Sequence, residues 1–468
     1  MTRLVVVSNR VADLTKSSQS GGLAVALADA LRDSGGAWFG WDGETGGSPE
    51  DVRSERVGDV TCLYAGMSAQ DYEQYYLGYS NSVLWPLFHY RADLVAYRSE
   101  DYDGYIRVNR GFAKGLTSQL QPRDLVWVHD YHLIPLGGFL REHGFRGRIG
   151  FFLHIPFPSP EVLAAASNHD FILKSLLQYD VVGFQTAGDL QNFLRSVVEN
   201  GLGDPDAEGN VRMPDRVVSA RHFPIGIDVQ SFTALAESSP EDIQIDRLRR
   251  EILGRKQIIG VDRLDYSKGL PGRFEAFNRL LIEHPEMERN VSFLQIAPPT
   301  REDIQAYADI RGELHGLSGA INGRFGDFDW TPIKYVHRSV AREKLAGLYR
   351  ASQVGMVTPL RDGMNLVAKE YVAAQDPDDP GALVLSRFAG AADEMPAALI
   401  VNPYDVEEMA AALHQGLTMS LGERKERHAD LMRSVRASDV AIWRENFLAV
   451  LACSSTGGTH LSLASSAA

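Results

Sequence analysis

An α/β protein with two doubly wound parallel sheets facing each other across a cleft is the fold class predicted for this 468-residue chain. Three observations carry that expectation. Short apolar runs alternate with longer helical patterns, several runs end in glycine-containing polar turns, and a polar break near the middle divides the chain. In order, the expected strands are 4–8, 125–129, 149–154, 181–185, 258–262, 293–297, 354–358, 383–386 and 399–401. Runs this apolar suit strands covered by helices on both faces. The break begins after the strand-like Val217–Pro224 and runs to about Asp246 through Glu237-Ser238-Ser239-Pro240-Glu241-Asp242. It sets an N-terminal domain at 1–232 and a C-terminal domain at 233–450. Residues 451–468, rich in Ser, Ala, Gly and Thr, read as a disordered tail.

Composition narrows the function. With 44% hydrophobic residues the chain can bury large cores, and 47 basic against 61 acidic residues give a net charge of −14. That balance argues against nucleic acid or an anionic membrane as partner. Cys62 and Cys453 lie far apart without zinc-type spacing, so neither a disulfide framework nor a structural metal is expected. The run 4–7 is too short for a signal-peptide core, which points to the cytoplasm.

The richest segment joins the run Val354–Thr358 to a helical pattern containing Leu366, Val367, Tyr371 and Val372. Its turn, Arg361-Asp362-Gly363-Met364-Asn365, leads to a helix start whose free N–H groups favour an anion such as a diphosphate. Glu370 would lie one to two turns in, within reach of ribose hydroxyls, and Asp362 could accept from sugar hydroxyls. The plainer reading is a strand-to-helix connection that Asp362 caps. Nearer the N-terminus, Asn9-Arg10 end a strand, and Ser20-Gly21-Gly22-Leu23 open a helix. Gly22 allows close approach of a ligand, and Arg10 offers a planar fork for phosphate. Trp38-Phe39-Gly40-Trp41 and the stretch from Tyr75-Tyr76 to Trp85-Pro86 are aromatic clusters of the kind that stack on sugars, although core packing explains any single one of them as well.

Asp130 and His154 each follow an apolar strand, where parallel sheets bind ligands. His129, Asp130 and His132 together also resemble a metal cluster, but helix ends and cations already serve the anion sites, and no metal is expected. In Asp262-Arg263-Leu264-Asp265-Tyr266-Ser267-Lys268-Gly269, Arg263 and Lys268 can converge on one diphosphate and offset the charge on a departing nucleotide. A surface ion pair with Asp262 or Asp265 is the simpler alternative. Arg301 stands after another strand.

Val5–Arg10, Gly21-Gly22-Leu23, Leu84-Trp85-Pro86, His129–His132, His154–Pro158, Arg263–Gly269 and Arg361–Glu370 together resemble the signature of the trehalose-6-phosphate synthases, retaining glycosyltransferase family 20. The resemblance runs in order from about residue 3 to 450. It implies a GT-B fold whose last helix crosses back to the first domain. It also implies metal-independent transfer of glucose, with retention, from UDP-glucose to glucose 6-phosphate, giving α,α-trehalose 6-phosphate and UDP. No cofactor is implied, and the assembly is expected to be a homo-oligomer, dimer or tetramer. By that resemblance Arg10, Trp41, Tyr76, Trp85, Asp130 and Arg301 serve glucose 6-phosphate in an acceptor domain. Gly22, His154, Arg263, Lys268, Asp362, Gly363, Met364, Asn365, Leu366, Val367 and Glu370 serve the nucleotide sugar. Asp130, His154, Arg263, Lys268 and Asp362 flank the chemistry.

Two motifs read as decoys. Asp327-Phe328-Asp329-Trp330-Thr331 fits an aspartyl-phosphatase pattern but lacks a preceding buried strand. Asp101-Tyr102-Asp103 resembles a metal-binding pair, yet Gly104 and Arg107 suggest a turn. A sister transferase with another donor or phosphorylated acceptor, a silent sugar-phosphate sensor and a binding module without turnover are the alternative functions.

Overall fold

The computed structural model describes residues 2–14, 27–28, 31, 35–238, 254–301 and 303–454. The chain divides into two compact units, residues 1–224 with 443–468, and residues 225–442. The sequence reading put its boundary eight residues later, at 232/233.

The first unit is built on a ten-stranded sheet. Its strands are β1 (Leu4–Arg10), β2 (Gly36–Trp41), β3 (Val52–Val57), β4 (Val60–Ala65), β5 (Leu125–His129), β6 (Arg148–Phe152), β7 (Val181–Phe184), β8 (Asp204–Pro205), β9 (Asn210–Arg212) and β10 (Val217–His222). They lie in the order β3-β4-β2-β1-β5-β6-β7-β10-β9-β8. The pairs β3/β4, β9/β10 and β8/β9 are antiparallel and the rest parallel. Val5, Val6, Val7, Trp127, Val128, Phe151 and Phe152 are fully buried, as strands covered on both faces require. The aromatic run 38–41 is strand β2. Trp38 and Phe39 point into the core, and Trp38 Nε1 donates to Ser8 Oγ at 2.8 Å. Charged residues fill β3 and glycines interrupt β2, whose aromatics also suit a sugar platform, so neither stood out as a strand in the sequence; β4 and the second unit's strand Ile333–Val336 were missed as well.

The second unit carries six parallel strands: β11 (Lys256–Val261), β12 (Val291–Ile296), β13 (Ile333–Val336), β14 (Val354–Val357), β15 (Ala382–Ser386) and β16 (Leu399–Val401). Their order, β13-β12-β11-β14-β15-β16, is the 3-2-1-4-5-6 order of a doubly wound nucleotide-binding sheet. The strand order reverses between β11 and β14. The core of the first sheet, β4-β2-β1-β5-β6-β7, repeats the pattern and reverses between β1 and β5.

The final helix, Val440–Cys453, begins in the second unit and ends in the first. Phe447 stacks on Trp127 at 4.7 Å between ring centroids, and Trp443 lies 4.9 Å from the same ring. Gly150 and Gly183 open the space, since a Cβ on either would stand 2.7 or 2.9 Å from the Phe447 ring. Where the chain enters the second unit, Gly226 passes so close to the Ser438 carbonyl that no side chain fits.

Asp101-Tyr102-Asp103 is not a turn: it lies in the helix Ser99–Thr117, with buried Asp101 held by Arg98 through two bonds of 2.8 and 2.9 Å. Arg98 and the helix start outweigh the weak breaker Gly104. Asp327 to Trp330 form a tight bridge after the helix Gln305–Phe325, and Arg289 and Arg255 neutralise Asp327 and Asp329.

Candidate active site

In the second unit the residues gather at the strand-order reversal. β11 leads through Asp262 into a 3-10 turn, Tyr266–Lys268, and β14 leads through Thr358 to the helix Leu366–Ala374. Gly269 closes the 3-10 turn at φ +65°, where its missing side chain lets it lie against the Thr358 carbonyl. Leu360 N–H donates to the Ser267 carbonyl at 2.8 Å, so the two turns form one frame.

Within that frame Lys268 Nζ pairs with Asp362 Oδ2 at 2.6 Å, and Asn365 Nδ2 donates to the same oxygen at 3.0 Å. The helix N-cap is Asn365, not Asp362: its Oδ1 accepts from Ala368 N–H at 3.3 Å from a left-handed backbone, φ +76°. That leaves the first N–H groups of the helix, Leu366 and Val367, at its electropositive end. Met364 and Asp362 carbonyls accept from Ala391 and Gly390, which pins the 362–365 turn, including Gly363, to the segment after β15. Glu370 is half-buried. Burial pushes its carboxyl up to about 7, with Arg342 opposing.

Asp262 pairs with Arg273, and Asp265 receives the Arg301 guanidinium at 3.3 Å and the Tyr307 hydroxyl at 3.0 Å. Arg263 is exposed at the edge of the frame. Arg301 adopts φ +48° with its side chain buried against Tyr307.

Sequence reasoning missed two cations. Arg273, fully buried, reaches Asp262, Thr358 Oγ1, the Lys268 carbonyl and Gln295, and so ties the ends of β11, β12 and β14 together. Lys369, also fully buried, donates to the Ile225 carbonyl, Glu394 and Ser438 Oγ. Burial drives its ammonium below the ordinary lysine range, against the pull of Glu394. The available signal was a lone cation on an otherwise apolar helical face, between Leu270 and Phe274 in one case and Ala368 and Tyr371 in the other.

In the first unit the residues gather at its own reversal. Arg10, at the end of β1, lies 5.8 Å from the Trp41 ring and packs against Gly43, whose φ of +98° and missing Cβ make room for the guanidinium. Trp41 neighbours Tyr72 and Tyr76, and Tyr76 stacks on His132 at 5.7 Å. Tyr75, beside Tyr76, bonds Asn9 at 2.7 Å. Trp85 is buried beneath the helix end, against His89 and Tyr131. Gly22 lies outside the described residues.

Asp130 follows β5 with φ +76° and ψ 165°, a region that costs a non-glycine residue about 1–3 kcal/mol. The strain aims its carboxylate at the His154 N–H, 3.2 Å away at the end of β6. His154 Nε2 meets His129 Nδ1 at 3.1 Å, and Gln185 Nε2 stands 3.5 Å from His154 Nδ1. Burial holds His154 down to about 3 and, with the neighbouring His154, drives His129 well below the ordinary histidine range, so both stay neutral near pH 7. His129 faces a neighbouring imidazole, which argues against its reading as a metal ligand beside Asp130 and His132. Among the described residues, the metal-type cluster lies elsewhere, at His284, Glu286 and His414.

Two doubly wound sheets with charged groups at each reversal, and an anion cradle at a helix start, define an α/β glycosyltransferase of the GT-B class. The sequence profile of glycosyltransferase family 20 matches residues 3–452, and the chain belongs to that family. It is 47% identical over 449 residues to the trehalose-6-phosphate synthase of Enterobacter sp. (strain 638), covering 96% of this chain and 94% of that one. An α,α-trehalose-phosphate synthase (UDP-forming) from Burkholderia xenovorans, solved in complex with glucose-6-phosphate, superposes with a TM-score of 0.92 at 50% identity, covering 96% and 100% of the chains. An E. coli relative bound with UDP-2-fluoro glucose gives 0.90 at 46%, covering 96% and 99%.

Proposed function

We propose that this chain transfers glucose from UDP-glucose to glucose 6-phosphate with retention, giving α,α-trehalose 6-phosphate and UDP. The observation that carries the reading is the Lys268–Asp362–Asn365 cradle at the start of the 366–374 helix, set at the strand-order reversal. Relatives at 46–50% identity, bound to a UDP-glucose analogue and to glucose 6-phosphate, supply the substrate classes.

In this reading the donor diphosphate takes the Leu366 and Val367 N–H groups, and Lys268 exchanges Asp362 for a phosphate oxygen. Asp362, released, accepts from the glucose hydroxyls, as does His154. Arg263 adds charge against the leaving diphosphate, and Glu370 accepts from the ribose. Arg10 and Arg301 hold the acceptor's 6-phosphate, with Trp41, Tyr76 and Trp85 about its sugar. Asp130 lies beside the reacting centre. A donor phosphate oxygen takes the acceptor's proton on the face where the new bond forms, so no protein nucleophile is needed. Stabilising the leaving group and holding the acceptor provide the acceleration. The protein is read as cytoplasmic and homo-oligomeric, the latter testable by light scattering. Among the described residues no helix is long and apolar enough to cross a membrane.

The test is incubation with UDP-glucose and glucose 6-phosphate in EDTA, following UDP release together with the disaccharide phosphate by mass and NMR. An α,α-linked disaccharide phosphate formed with stoichiometric UDP is the expected result. Reaction only with another nucleotide sugar or phosphorylated acceptor would overturn the specificity. Silence with every pair would make the chain a sensor.

A further inference from the structure

We propose that the second unit carries a binding site for a borderline divalent transition metal, such as Zn²⁺, Ni²⁺ or Co²⁺, formed by His284, Glu286 and His414 and serving as a clip between two helices. One donor atom from each residue lies within 4.8 Å of the others. His284 Nδ1 is 3.2 Å and His414 Nε2 is 3.8 Å from the same carboxylate oxygen, Glu286 Oε1. Two ligands each ~2.1 Å from a tetrahedral ion stand ~3.4 Å apart, so these separations straddle the value required.

The backbone supports the cluster from two sides. The helix Leu270–Glu283 ends at His284, whose N–H still bonds the Leu280 carbonyl. Pro285 then starts a 3-10 turn that closes with Met287 N–H on the His284 carbonyl. His284 and Glu286 therefore ride on one constrained turn. His414 comes from the helix Val406–Thr418, fastened alongside by the Arg279–Glu407 ion pair. Each imidazole side chain is 30% exposed and the carboxylate more so, which leaves an entry path and room for water ligands. Two imidazoles and one carboxylate select borderline metals over Ca²⁺ or Mg²⁺, which prefer all-oxygen sites.

The two rings are stacked face to face, with centroids 3.6 Å apart and planes 7° from parallel. A metal binds in the plane of each ring, so loading turns one imidazole out of the stack by side-chain rotation. The cluster lies at the C-terminal end of a 14-residue helix whose N-terminal end follows Lys268-Gly269, roughly 20 Å away along its axis. Metal there changes stability, not chemistry.

The experiment uses the full chain, stripped with EDTA and dialysed. Zn²⁺ is titrated by calorimetry, Co²⁺ is followed by its visible absorption, and thermal unfolding is recorded with and without metal. The expected result is one equivalent bound, a higher melting temperature, and affinity reduced about tenfold or more in His414→Asn and in Glu286→Gln. His315→Asn, from a second imidazole pair with His337 6.1 Å apart, keeps full binding. The variants retain wild-type activity in EDTA, which shows that they fold. Unchanged binding in His284→Asn/His414→Asn, loss of binding in His315→Asn, or no one-to-one binding by wild type would overturn the proposal.

Discussion

Lys268 is paired with Asp362, and on the proposed reading the donor diphosphate takes the place of that carboxylate. The ammonium is buried and its carboxylate partner, Asp362, also holds Asn365, so removing the cation costs Asp362 its lysine partner and, on the proposed reading, removes one charge from the donor diphosphate's surroundings. Lys268→Ala is expected to lower kcat/KM by about 10²–10³-fold, the scale of one lost charge-stabilising donor, measured in steady-state assays of UDP release. Gly43→Ala tests the acceptor side. Its Cβ would stand 2.1 Å from an Arg10 guanidinium nitrogen, on a backbone at φ +98° that already disfavours a side chain. Displaced Arg10 raises the KM for glucose 6-phosphate about tenfold with kcat little changed, the pattern of lost ground-state binding. Glu370 gives a pH signature. Burial raises its carboxyl to about 7, while ribose hydroxyls bond best to the charged form, so donor binding releases a proton. KM for UDP-glucose should fall as pH rises from 6 to 8, because the diphosphate diester does not titrate there, and Glu370→Gln should flatten the profile. If the variant kept the wild-type slope, Glu370 would not be the ribose acceptor.

At the scale of elements, the parallel strands were legible because burial on both faces writes them as apolar runs, as in Val354–Val357 and Leu383–Ser386. The segments after them were legible for a related reason: a doubly wound sheet brings polar residues to strand ends, so Asp130, His154, Arg263 and Asp362 stood out against their neighbours. What the sequence hid was long-range geometry. No local pattern tells that Arg273 joins three strand ends, that Asp130 carries a strained backbone, or that Gly43 is small because Arg10 needs the space. β2 was hidden because its aromatics read equally well as a sugar platform. The last helix illustrates the same limit: its apolar face is visible, but Gly150 and Gly183, which hollow the sheet for Phe447, lie hundreds of residues earlier. Phe447 is fully buried against Trp127, Phe152 and Phe223. Phe447→Ala is expected to destabilise the first unit by about 3–5 kcal/mol, since neighbouring aromatic rings cannot close the space left. Urea unfolding followed by tryptophan fluorescence checks this through Trp127 and Trp443, and a loss below ~1 kcal/mol would show that the helix packs too loosely to hold the chain's return.

For the molecule as a whole, groups buried neutral decide how stability responds to pH. His129 and His154 fold with pKa values well below the ordinary 6.5, His154 at about 3, and His428 is lowered too, all by burial first. Between those folded values and 6.5 the unfolded chain binds more protons than the folded one, so these histidines make stability rise with pH and level off above 6.5. Glu370 acts oppositely. Its folded carboxyl titrates near 7 against 4.5 unfolded, so across that window the folded state holds the extra proton and stability falls as pH rises. From 4.5 to 6.5 these histidines, joined by His414, outweigh Glu370 and the carboxyl of Asp262, which burial also raises; between 6.5 and 7 Glu370 is still titrating. The urea midpoint should therefore climb from pH 4.5 to about 6.5 and then flatten or turn slightly down. His154→Gln should make the climb shallower and Glu370→Gln should make it steeper. A midpoint independent of pH between 4.5 and 6.5 would mean that the histidines are hydrated in solution, and the neutral His129–His154 pair, whose rings lie 6.2 and 6.0 Å from Trp443, would have to be given up.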